Sequence, residues 1–208
     1  MNEHLRAAAA KAIGFMPEQE GLGLYAAGRA AASLGPLLEI GSYCGKSAVY
    51  LGAAAQEQGS VLFSVDHHRG SEEHQPGEQF HDPRLLDETE RLNTLPCFRR
   101  TIEDSALGDT VIPVVGPSAL VARFWATPLA LVFIDGGHSI EAAIGDYEGW
   151  APHLMHGGAL VIHDVFERPQ DGGRAPFEIY QRAIRSGAFE EGPRTGSLRV
   201  LRRIGDGL

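Results

Sequence analysis

The chain has 208 residues, 43% of them hydrophobic, and a formal net charge of −9 at pH 7. That length and apolar content suit one domain with a sizeable core, and the acid excess without a basic run argues against nucleic acid or an anionic membrane as partner. Two cysteines, Cys44 and Cys97, are too few and too far apart for a disulfide framework or a zinc ribbon. No stretch of about 18 apolar residues occurs, and the opening MNEHLRAAAAKAIGF mixes charge into its alanines, so a cytoplasmic protein is expected.

Taken in chain order, residues 5–12 and 20–33 are rich in alanine and leucine and predict two N-terminal helices within about residues 1–34. A strand is predicted at Leu37–Ile40, a helix over Lys46–Gln56, and further strands at Val61–Val65, Val111–Val115, Ala130–Ile134 and Ala159–His163. Helical stretches lie between the later strands, at about 98–107, 117–126 and 139–155. Strands that are apolar on both faces and alternate with helices imply a mostly parallel sheet covered on both sides. Pro176–Ser186 reads as a last helix, and GSLRVLRRI alternates as a more exposed, antiparallel final strand. The expected fold is α/β, doubly wound and Rossmann-like, in a single domain spanning 1–208. His67–Pro96 breaks the pattern with four histidines, many acids and no clean period. An irregular stretch of this length inside a compact domain reads as a lid or substrate loop.

Two strand ends carry chemistry. LEIGSYCGKS follows the first strand, where Gly41 and Gly45 permit a tight turn and close backbone approach. The helix from Lys46 then aims its first amides at the turn. The spacing is neither the G-x-G-x-x-G of dinucleotide folds nor the phosphate-loop pattern. Asp66 ends the second strand, where an acid can take two ribose hydroxyls. A glycine turn and a strand-end acid also occur in many α/β proteins that bind no nucleoside. LVFIDGGH (Leu131–His138) and ALVIHD (Ala159–Asp164) are both apolar strands that end in acids and histidines, as the walls of one site would.

These residues resemble a family. Glu39–Gly45 is similar to the E-x-G-x-x-x-G motif of class I S-adenosylmethionine-dependent methyltransferases, closest to the branch with catechol, caffeoyl-CoA and macrolide-sugar O-methyltransferases. The resemblance runs from about Phe15 to Val200. It implies that Glu39, Gly41, Ser42, Gly45 and Ser47 surround the methionine moiety. Asp66 would hold the ribose, Gly116-Pro117-Ser118 would border the adenine, and Asp135 would lie beside the cofactor. Met16 is placed either over the sulfonium or, as is common at a helix start, in the core.

The resemblance further implies a divalent metal, Mg or Mn in relatives, at Asp135, His163 and Asp164. Counting from Gly157-Gly158, His163 stands where relatives carry Asp or Glu, and an imidazole suits Mn or another transition metal better than Mg. The alternative is a strand-end histidine satisfied by its neighbours, with no metal. His138, three residues past Asp135, occupies the place of a lysine or histidine in relatives and is the candidate general base; otherwise it caps a helix or only supports the site. Histidines 67, 68, 74 and 81 match no compact ligand set and read as a solvated loop, and His153 and His156 as surface residues.

The reading that follows is an O-methyltransferase acting on a small acceptor, with a homodimer left open. A NAD-dependent oxidoreductase lacks its glycine turn here and leaves the acids of the fourth and fifth strands without a role. A nucleoside-binding protein that has lost catalysis is the third class. The DGGH form and an aromatic content of 8% favour a sugar hydroxyl as acceptor. DHHRGSEE is similar to a loop in actinobacterial enzymes that methylate glycosides or polysaccharide precursors.

Overall fold

The computed structural model describes residues 1–78, 80–137, 139–168 and 173–206. Two helices come first, α1 (Glu3–Lys11) and α2 (Glu18–Ala31). The Asn2 side chain accepts the Leu5 amide and so fixes the start of α1. The α/β alternation then begins with β1 (Leu37–Ile40), α3 (Lys46–Glu57) and β2 (Leu62–Asp66). It continues through α4 (Leu95–Asp104), β3 (Val111–Val115), α5 (Ser118–Arg123), β4 (Leu129–Ile134) and α6 (Ile140–Trp150). The last elements are β5 (Leu154–Ile162), α7 (Ala175–Arg185), β6 (Phe189–Thr195) and β7 (Leu198–Arg203).

The seven strands are ordered β3-β2-β1-β4-β5-β7-β6, with β1 to β5 parallel and β7 antiparallel to both neighbours. Alternation along the central strands separates two apolar layers. Leu37, Leu131, Phe133 and Val161 pack on the face covered by α1 to α4. Leu38, Ile40, Val132, Ile134, Leu160 and Ile162 pack on the opposite face, with α6 and α7. This double burial is why β1 and β4 read as unbroken apolar runs. Strand order reverses between β1 and β4, so their C-terminal loops part toward opposite faces and leave a crevice there.

Three elements differ from the sequence expectation. β5 begins at Leu154, five residues before the predicted start at Ala159, and runs through both glycines. A Cβ on Gly158 would stand 2.9 Å from the carbonyl oxygens of Ala130 and Met155, so this glycine serves close strand packing, not a turn. No strand is predicted over 189–195, because Gly192 and Pro193 interrupt it; β6 tolerates them as an edge strand whose register shifts between Glu191 and Arg194. The helix expected over 139–155 stops at Trp150 and tightens into a 3₁₀ turn, Ala151–His153, around Pro152.

That turn is closed from the far side of the sheet. Buried Arg203 donates from Nη1 to the carbonyls of Ala151 (3.3 Å), Pro152 (3.2 Å) and Leu154 (2.5 Å), and from Nε to Gly205 (3.1 Å). A cation is well placed against the free carbonyls at the end of α6. Arg203→Met keeps most of the packing but leaves these acceptors unpaired, and is expected to cost about 2–3 kcal/mol in urea unfolding. A loss below about 0.5 kcal/mol would mean that these bonds add nothing beyond packing.

Candidate functional site

At the crevice the backbones of two loops touch. Gly41 adopts φ +89°, and a Cβ there would lie 2.1 Å from the Asp135 carbonyl oxygen. The loop after β1 therefore passes directly over the loop after β4, which only glycine allows. Gly45 (φ +90°) caps α3 with no side-chain hydrogen bond, and its own amide turns back to Ser42 O at 2.7 Å. The first amides of α3 have no side-chain cap, an arrangement that receives anions.

Glu39 lies beneath this turn and is fully buried. Its Oε1 accepts from Ser64 Oγ at 2.7 Å, while Oε2 has no partner of hydrogen-bond geometry. Burial pushes its pKa up to about 7, against the Ser64 hydrogen bond and the nearby Ser47 and Ser42 hydroxyls. Ser42 and Ser47 line the cavity above it. Asp66, at the end of β2, has both oxygens oriented by backbone amides, from Tyr43 to Oδ2 (2.8 Å) and from His68 to Oδ1 (2.7 Å).

Two adjoining cavities follow the C-terminal edge of the sheet. The larger, about 870 Å³, runs from Asp66 past Gly116, Pro117 and Ser118 to Gly136 and Asp146. The smaller, about 430 Å³, is lined by Phe15, Met16, Ser47, Asp135, His163 and Asp164 among others. Gly41, Tyr43, His74 and Asp135 border both. Met16 is buried in the core, as expected at a helix start, and also lines the smaller cavity.

Asp135, His163 and Asp164 offer ligand atoms that lie within 4.8 Å of one another. His163 Nδ1 is 3.0 Å from Asp135 Oδ1 and 3.5 Å from Asp164 Oδ2. Its Nε2 is 2.6 Å from Glu20 Oε2, a partner the sequence reading did not single out. Glu20 sits in α2 and also accepts the Ser197 amide (2.6 Å) and hydroxyl at the β6–β7 turn. Gly196 permits this, since a Cβ there would stand 2.0 Å from Glu20 Oε1. Burial opposes charge on His163, but Asp135, Asp164 and Glu20 outweigh it and push the pKa up to about 12. Burial likewise works against the Glu20 carboxylate, yet His163 and Ser197 hold its pKa below the ordinary value. The three-residue set is therefore a four-residue one, clamped to the hairpin.

The 67–96 segment corrects the solvated reading of two histidines. His68 is buried, with Nδ1 2.8 Å from Thr94 Oγ1, and the Thr94 amide donates to His68 O at 3.2 Å. These bonds tie the two ends of the excursion together. His74 stacks on Tyr43 at 4.9 Å, and Phe80 meets Phe15 at 4.8 Å, so the loop leans on the rim of the smaller cavity. His153 is half-buried beside Trp150, whereas His156 is exposed as expected. His138 lies outside the described residues. Both cysteines are free, and among the described residues no helix is long and apolar enough to cross a membrane.

The raised Glu39 pKa carries a stability consequence. A carboxyl whose folded pKa exceeds its unfolded value favours the fold below about 4.5 and loses that contribution as pH rises to about 7. Glu39→Gln keeps an acceptor for Ser64 without the buried charge. The variant is expected to gain on the wild type between pH 5 and 8, by on the order of 3 kcal/mol, in urea unfolding. A difference that stays flat across that range would remove Glu39 from the titrating groups.

Residues 38–165, more than half of the chain, match a family described as a methyltransferase domain. The fold is similar to that of cofactor-bound Rv0187 from MTB, at 19% identity and TM-score 0.68, covering 96% of this chain and 87% of that one. It is similar to SAH-bound PaMTH1 of Podospora anserina at 13% identity and TM-score 0.69, covering 99% and 89%. It also resembles the O-methyltransferase TomG of Streptomyces achromogenes in complex with SAM, at 13% identity and TM-score 0.66, covering 99% and 91%. With the glycine crossing, the strand-end acids and this match together, the chain belongs to the methyltransferase domain family.

Proposed function

We propose that the protein is an S-adenosylmethionine-dependent O-methyltransferase acting on a hydroxyl of a small neutral acceptor, a sugar or glycoside, with a divalent metal assisting. The observation that carries this reading is the crossing of Gly41 over Asp135, where two adjoining cavities meet, one reaching to Asp66 and the other lined by the Asp135–His163–Asp164 set. SAM and SAH occupy structures of the same fold.

The bound cofactor supplies an electrophilic methyl group on a sulfonium. Around it, Asp66 accepts the ribose hydroxyls, and its amide partners keep the carboxylate pointed for that task. The uncapped first turn of α3 and Ser42 and Ser47 receive the amino-acid end, with Gly45 making the approach and Glu39 holding the turn from below. Ser118 borders the base. Asp135 stands where the two cavities meet, at the reacting end.

The donor set fits a metal. Glu20 takes the Nε2–H of His163, as a carboxylate commonly does behind a metal-bound imidazole, and this leaves Nδ1 facing Asp135 and Asp164. An ion held there would act as a Lewis acid on the acceptor hydroxyl. His138 is the proposed general base that takes the hydroxyl proton; a sugar hydroxyl is too weak an acid to give it up unaided at neutral pH. The loop over 67–96 is proposed to close over the acceptor. Phe15, Tyr43 and Phe80 offer flat apolar surfaces to a sugar ring and its hydroxyls meet Glu73 and Asp164. The same rings would suit a catechol, which is the second reading.

A methyl-transfer screen across sugars, glycosides and catechols tests the function, and transfer to none of them would sink it. Asp66→Ala is expected to weaken S-adenosylhomocysteine binding by about 1.5–3 kcal/mol in calorimetry; unchanged affinity would put the cofactor elsewhere.

His138→Ala is expected to leave that binding nearly intact while turnover falls by roughly 10²–10⁴, and a near-normal rate would return His138 to a supporting role. Chelation is expected to abolish turnover and lower the melting temperature, both restored by Mn or Mg. Full activity in the stripped protein would leave His163 an ion-pair partner and nothing more.

A further inference from the structure

Asp146 and Trp150 lie four residues apart on α6, so both side chains leave the helix on one face. That face meets the first residue of α5. Trp150 Nε1–H donates to Ser118 Oγ at 2.8 Å, and Ser118 Oγ–H donates to Asp146 Oδ1 at 2.6 Å. The indole occupies the hydroxyl oxygen, so the hydroxyl proton points to the carboxylate. Asp146 is thereby held from one side, and its second oxygen is aimed the other way.

That second oxygen faces the larger cavity. Asp146 is only 7% exposed, yet Oδ2 accepts no hydrogen bond from the described residues. Gly136 makes room for it, since a Cβ there would stand 2.7 Å from Oδ2. Around it the cavity is narrow-walled, with Gly116 and Pro117 from the loop after β3 and Gly137, Ala142 and Gly145 from the segment after β4. Walls of such small residues admit a flat ring. An acceptor that is oriented by two further side chains, opens on the cavity and has no protein donor is available to a ligand's N–H.

We propose that Asp146 selects the cofactor's base by accepting a hydrogen bond from the exocyclic amine of adenine. This rests on the cofactor reading above, and the hydrogen-bond chemistry narrows it to one group. An adenine substituted at N9 presents acceptors at N1, N3 and N7 and a single donor, the 6-amino group. A carboxylate offers acceptors only, so the amine is what it can take. A 6-oxo purine would set its carbonyl oxygen against the carboxylate, leaving two acceptors face to face. Burial pushes the Asp146 pKa up to about 6, against the Ser118 hydrogen bond, so the group is ionised at pH 8 and remains an acceptor.

Titration calorimetry on the full chain at pH 8 tests this with two probes, S-adenosylhomocysteine and its purine analogue lacking the 6-amino group. The wild type is expected to bind the analogue about tenfold or more weaker, the usual worth of a hydrogen bond to a charged group. In Asp146→Ala the two probes should bind alike. In Asp146→Asn the amide oxygen keeps the Ser118 bond and the NH₂ turns to the cavity, donor against donor. S-adenosylhomocysteine should then bind no better than the analogue. Asn is close in shape and uncharged, so this variant retains the fold, which circular dichroism and melting temperature check. Equal binding of both probes to the wild type, or a preference that survives in the two variants, overturns the assignment alone. Failure of the wild type to bind either probe overturns the cofactor reading and the assignment with it.

Discussion

The contact between Gly41 and the Asp135 carbonyl is the constraint on which the rest of the site depends. β1 and β4 are neighbours, yet α3 and α6 leave them toward opposite faces, and the two loops must cross before they part. With 2.1 Å between that oxygen and the place of a Cβ, no other residue than glycine lets them cross this closely. The crossing fixes where α3 begins, and so where its free amides point. It also sets Asp135 between the two cavities and brings Gly136 under Asp146. A larger residue at 41 would push the loops apart and disperse both halves of the trough together.

A second tie holds the Asp135–His163–Asp164 end of the site against the periphery of the fold. Glu20 and His163 are 143 residues apart in sequence, and their ion pair joins α2 to the end of β5, with Ser197 adding the β6–β7 turn. A buried ion pair loses hydration on both sides and adds little net stability, but removal of one partner leaves an uncompensated charge. Its value here is direction. Asp164, at φ +54°, holds a strained conformation beside it, as expected where surrounding contacts determine the backbone at a functional site.

Much of this was legible in the sequence, for identifiable reasons. Strands buried on both faces are continuous apolar runs, so β1 and β4 were found within a residue of their bounds; β3, a largely exposed edge strand, was found from its β-branched run. Polar residues at strand ends keep a fixed phase to those runs, which is why Asp66, Asp135, His163 and Asp164 could be named. Glu20 could not, because an acid in the first turn of a helix is usually a solvated residue favoured by the dipole, and nothing local shows that a hairpin from the far end of the chain covers it. Asp146 had a readable signal that was missed: an acid four residues before a tryptophan shares its buried face. β6 hid behind Gly192 and Pro193, and His68 looked solvated because its burial depends on Thr94, at the other end of the loop.

The charges of the site also account for its pattern of partners. Glu20, Glu39, Asp66, Asp135, Asp146 and Asp164 gather at one edge of the sheet, and His163 is the cation set among them. Left bare, such a cluster would bind a sulfonium tightly in its resting state, and that binding would raise the barrier to methyl transfer, since the positive charge disperses as the methyl group leaves. The structure tempers the field in three ways. Burial pushes Glu39 toward its neutral form, backbone amides face both oxygens of Asp66, and the His163 imidazole offsets Asp135 at 3.0 Å. Under the proposed reading, the acids orient the cofactor through its hydroxyls and its amine while little net negative charge is left at the sulfur. In the structure the His163 imidazolium supplies the positive charge between Glu20 and Asp135 and ties the fold there; a divalent ion on Nδ1 would need that nitrogen without its proton and would supply the charge in its place.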